Sequence, residues 1–163
     1  MAMTMKIFLI IIGLLIGVIL QTTLIPFLSV MGASPNLILV LILILVIFKK
    51  FEKMWWAIVS AGLLLDLFFG LPFGLTSLSL VTVAFLIDWL HRNVFSEIKL
   101  WISIGLIGSA SLAYNILLII LGKLLSSSFY SGTSLLVIVI ELGYNLILGL
   151  MLFYGAKKIL HWK

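Results

Sequence analysis

The sequence predicts an all-α polytopic membrane protein, and three observations carry that expectation. Of 163 residues, 64% are hydrophobic and 9% charged, whereas a soluble domain is about half apolar and about a quarter charged. A disordered chain would carry the opposite bias. The apolar residues fall in six stretches cut by charge or by Gly and Pro. At about 20 residues per crossing, the chain has room for six spans and little else. Finally, the stretches are continuously apolar rather than polar at every second residue, which excludes a membrane β-barrel. Backbone amides in hydrocarbon must bond within their own segment, so each crossing is expected to be helical. With no cysteine, disulfides, thiolate metal sites and cysteine nucleophiles are excluded.

Residues 1–163 are expected to form one integral membrane domain. The first span covers about 7–25 and is closed by Pro26. Its apolar run is longer than a usual secretion-signal core and no small-x-small cleavage site follows, so it is expected to remain as a helix. The second, about 35–48, stops at Lys49-Lys50. From Pro35 it has about 14 residues, or roughly 21 Å, against a hydrocarbon core of about 30 Å. The preceding segment 27–33 is expected to dip into the outer leaflet, or the bilayer to thin there. Spans three and four cover about 54–71 and 73–90, and spans five and six about 100–122 and 133–156.

Placing the N-terminus inside puts Lys6, Lys49, Lys50, Lys53, Arg92, Lys99, Lys157, Lys158 and Lys163 on the inner side and only Lys123 outside. That bias predicts both termini in the cytoplasm. Trp55, Trp56, Trp89, Trp101 and Trp162 fall beside the same inner loops, where an indole ring suits the headgroup layer. The net charge of +5 is therefore assigned to anionic lipid and insertion bias, not to nucleic acid.

Polar residues within the spans are the candidates for function, because an ion near the bilayer centre costs about 2.5–3.5 kcal/mol on insertion scales. Asp66, Tyr114, Asn115, Lys123, Glu141 and Asn145 all fall in the outer half by position along their spans, and form the predicted intramembrane cluster. Two readings of it stand side by side. It is a polar pocket open to the outside, or an internal clamp in which Lys123 pairs with Glu141 or Asp66 while the asparagines bridge helices. Asp88 lies four residues before Arg92 and is expected to form an interfacial helical pair. Rows of small residues, Gly13 and Gly17 on span one and Gly105 and Ser109 on span five, are candidate helix contacts, within the chain or to a partner's membrane helix. The chain holds no nucleotide loop, nucleophile elbow or zinc motif. Two aspartates ten helical residues apart in depth cannot form a catalytic dyad, so no enzyme activity and no cofactor or metal are expected.

Residues 62–75 read GLLLDLFFGLPFGL, and Pro35-Asn36-Leu37-Ile38-Leu39 opens the second span. With the length and the six-span plan, these features resemble the rod shape-determining MreD family. Its motif residues fall on Asp66, Gly70, Pro72 and Gly74. The resemblance implies a non-enzymatic component of the bacterial elongation machinery in the cytoplasmic membrane. It would bind a bitopic MreC-like protein and connect the actin-like MreB with peptidoglycan synthases, and a second copy of the chain is a further candidate partner. The family is also similar in plan to the S components of energy-coupling-factor transporters. That similarity implies an S-component-like helical bundle, and an alternative function as a vitamin-binding subunit with an outward-facing pocket.

Overall fold

The structure, a computed structural model, describes residues 3–95, 99–125 and 134–160. His161, Trp162, Lys163 and most of the connection 126–134 lie outside the described residues, as do the side chains of Lys6 and Lys157. Six α-helices follow in order: α1 Met3–Thr23, α2 Leu37–Lys49, α3 Phe51–Phe69, α4 Leu75–Val94, α5 Leu100–Leu124 and α6 Leu135–Leu160. A short 3-10 turn, Ile25–Leu28, follows α1, where Pro26 enters the first turn of that element without needing an N–H partner. No strand forms among the described residues. Two stretches, Leu100–Leu124 and Leu135–Ala156, are long and apolar enough to cross a membrane.

The shortest helix is the axle of the bundle. All of α2 except its terminal lysine is Leu, Ile, Val or Phe, so no face is set aside for water. Ile38, Val40, Leu43 and Val46 are fully buried. The other five helices all pack on α2, in the order α1, α3, α4, α5, α6 around it. α6 and α1 do not pack side by side along their lengths, so the ring stays open there. In lipid, burying a leucine gains little over leaving it among acyl chains. The contacts that hold α2 are therefore close packing and the polar ties at its ends.

One tie is at the C-terminal end of α2, where Lys50 both ends that helix and precedes α3. Its backbone is left-handed, with φ 83°. Its N–H still donates to the Val46 carbonyl, and its own carbonyl accepts from Lys53 N–H. At the N-terminal end, the segment before α2 turns back through Val30–Ala33, whose N–H and carbonyl groups pair with each other at 2.9 Å in both directions. Met31 and Gly32 both have positive φ, the requirement of a tight I′ turn.

α3 and α4 form the tightest pair. A Cβ on Gly62 would stand 2.7 Å from the Ser77 amide nitrogen and 2.9 Å from its Cβ, so only glycine lets the two backbones approach. The other small residues divide. Gly17 packs on Ile38 and Leu41 of α2, 3.0 and 3.1 Å from the site of a Cβ. Gly13 and Gly105 face open space, and the Ser109 hydroxyl bonds back to the Leu106 carbonyl of its own helix. Of the four packing candidates, Gly17 alone makes a close contact, and Gly149 against Ile107 is a contact the small-residue rows did not mark.

Candidate functional site

Every helix start leaves four backbone N–H groups without partners in the helix. α2 has 13 residues, about 20 Å at 1.5 Å per residue. Side chains from α1, from α6 and from the residue before α2 satisfy the groups at its start.

The Asn36 N–H donates to Asn145 Oδ1 of α6 at 2.8 Å. The Leu37 N–H donates to Gln21 Oε1 of α1 at 2.7 Å, and Gln21 Nε2 donates to the Pro35 carbonyl at 3.1 Å. Asn36 Oδ1 caps the helix by accepting from Leu39 N–H at 3.0 Å. Asn145 is completely buried, and its amide also donates to the Ser111 hydroxyl of α5 at 3.1 Å. Asn115, one turn along α5, donates to the Ser111 carbonyl at 3.1 Å. Glu141 lies on α6 one turn before Asn145, its carboxyl group beside the side chains of Asn115, Asn145 and Asn36. A further strap joins the Tyr144 hydroxyl of α6 to the Leu28 carbonyl at 3.1 Å.

Asp66 serves a different helix. Its Oδ2 accepts from the Gly74 N–H and its Oδ1 from the Thr76 N–H, both at 2.9 Å. The side chain is 1% exposed, so both oxygens are spent at the start of α4. Gly70 and Gly74 take positive φ of 64° and 92° on either side of Pro72, and the Pro72 carbonyl accepts from Leu75 N–H. The family-motif residues Asp66, Gly70, Pro72 and Gly74 thus assemble as one turn with its cap.

The predicted cluster is accordingly divided. Asn115, Glu141 and Asn145 come together, whereas Asp66 is committed to the α3–α4 turn. Lys123 is exposed and pairs with neither acid, so the lysine clamp is not formed. Tyr114 is buried on α5. Gln21, Asn36 and Ser111 belong to the site without having been assigned to it. The signal that points to Asn36 is its place just before the apolar run, where an amide side chain caps a helix start.

At the opposite end, Arg92 and Asp88 form the expected pair, with Nη2 to Oδ1 at 2.7 Å. Next to it, just beyond the apolar part of α4, His91 is buried and neither ring nitrogen has a hydrogen-bond partner among the described residues. Burial first and the Arg92 charge second lower its pKa below the ordinary histidine value, against the opposing pull of Asp88, so the ring stays neutral at pH 7.

No group of three or more metal-ligating side chains occurs among the described residues. What the site can do chemically is hold helices. Asp66 caps α4, and the N–H groups at the start of α2 are met by Asn145, Gln21 and Asn36. The chain matches no protein-family model, and no curated protein or solved structure is significantly similar to it.

Proposed function

We propose that this chain is a non-enzymatic scaffold of the bacterial cell-elongation machinery, similar to MreD. It crosses the cytoplasmic membrane six times with both termini inside, and binds an MreC-like bitopic protein through its helices and outer rim. MreB and peptidoglycan synthases would join through that partner. The observation that carries the proposal is that the starts of α2 and α4 are both capped by side chains of this chain. Helix N-termini inside a membrane protein are where transporters hold anionic groups of their substrates. Here Asp66 fills that position at α4, and Gln21, Asn36 and Asn145 fill it at α2. A vitamin-binding S component would need such polar ends open to its ligand, whereas a scaffold needs them closed and rigid. The assembly of residues 62–75 into one capped turn supports the same reading.

The test is capture of the pair. Co-expressed with an MreC-like protein from the same genome, the tagged chain should retain that partner through mild detergent purification. Failure across several mild detergents, with the chain itself folded and monodisperse, would remove the scaffold reading. Recovery of a stoichiometric vitamin with the purified chain would replace it with the transporter reading.

A further inference from the structure

α1 and α3 leave a groove between them, open along one side, with a volume of about 200 Å³. Ile11 and Leu15 line it from α1, and Trp56, Ser60 and Leu64 from α3. The Trp56 indole donates to the Lys53 carbonyl at 3.0 Å, and the Ser60 hydroxyl donates to the Trp56 carbonyl. With its polar atoms turned back on α3, the groove offers hydrocarbon alone. Over the roughly 12 Å of helix between Trp56 and Leu64, an α-helix about 10 Å across would need several times the groove's volume to lie within it. A flexible hydrocarbon chain is the occupant that fits.

The charge lies at one end. Lys53, Trp56, Ser60 and Leu64 follow at steps of three and four, so they share one face of α3. Lys53 is exposed one turn below the groove, and Lys50 is exposed beside it at the start of the helix. An amphiphile whose tail lies along the groove therefore has its head beside two ammonium groups. Trp56 stands between head and tail, at the level where indole rings prefer to sit.

We infer that the α1–α3 groove is a binding site for an anionic phospholipid, with one acyl chain against Ile11, Leu15 and Ser60 and the phosphate beside Lys53. The site is independent of the partner proposed above. Each lysine near an anionic surface is worth about a fivefold preference for the charged lipid.

The test uses the full chain with Trp55, Trp89, Trp101 and Trp162 replaced by Phe, reconstituted in vesicles. Tail-brominated phosphatidylglycerol or tail-brominated phosphatidylcholine is added at equal mole fraction in an unbrominated phosphatidylcholine background. A second variant retaining only Trp101, which is 81% exposed, reports the surrounding lipid. Trp56 should be quenched several-fold more efficiently by the brominated phosphatidylglycerol, and Trp101 nearly equally by both. Lys53→Gln should reduce the Trp56 preference about fivefold, and Ser60→Phe should lower quenching by either lipid to the Trp101 level. Equal quenching of Trp56 by the two lipids would overturn the site. So would a benzophenone amino acid at position 60 that crosslinks, in native membranes, to a polypeptide rather than to a phospholipid.

Discussion

At the residue scale, Asp66 shows how a carboxyl group can be tolerated in an apolar helix without a cationic partner. Both of its oxygens are met by backbone N–H donors at the start of α4. Charge-assisted bonds of this kind are stronger than neutral ones. Asp66→Ala leaves two N–H groups at the start of α4 without their acceptor and should destabilise the protein by about 2 kcal/mol or more. Asp66→Asn keeps one acceptor oxygen and should cost about half as much. Unfolding by sodium dodecyl sulfate titration, followed by circular dichroism, gives the ranking; equal losses would mean that the carboxylate acts through charge alone. Lys123→Ala, in contrast, should leave the thermal midpoint in detergent unchanged, with a stability change within about 0.5 kcal/mol, because its side chain is exposed and ties to neither acid. The sequence placed all these residues at one depth, since depth follows from counting along a span. It could not supply azimuth. Asp66 and Glu141 lie at similar height but face different helix starts, and only the packing decides which.

Among the elements, α2 repays the closest comparison between sequence and structure. Its bounds were legible: Pro35 and Asn36 mark the start, Lys49-Lys50 the end, and the shortness follows at once. Its place at the centre was not. A helix apolar on every side fits equally well against lipid or against five neighbours, because hydrocarbon surrounds it in both cases. The α3–α4 hairpin was legible through its Gly-Pro-Gly turn and through Gly62, Asp66 and Gly70 at steps of four on the third span, but that the close approach brings Gly62 onto Ser77, fifteen residues on, only the packing shows. Gly62→Ala would push a methyl group into the Ser77 backbone. In close-packed interiors such overpacking costs about 1–3 kcal/mol, so the variant should unfold at lower detergent denaturant than wild type. Gly105→Ala, where the space is open, is the matched control and should be neutral or slightly stabilising.

For the whole molecule, the arrangement of charge makes the strongest claim. With nine of ten cations on the loops assigned to one side, six crossings return both termini to that side. Fluorescent-protein reporters fused at either end should therefore both light up in the cytoplasm, and phosphatase reporters at either end should both stay inactive. Ends on opposite faces would break the six-span plan and move the polar site with it. The join at Lys50 has a mechanical corollary for this assembly. One residue, already bound through both its amide and its carbonyl, separates the central rod from the next, so the rod has no slack with which to slide or spin alone. A pull applied at the Asn36 end of α2 is delivered through Lys50 to α3, and the bundle transmits force as a stiff piece of hardware would.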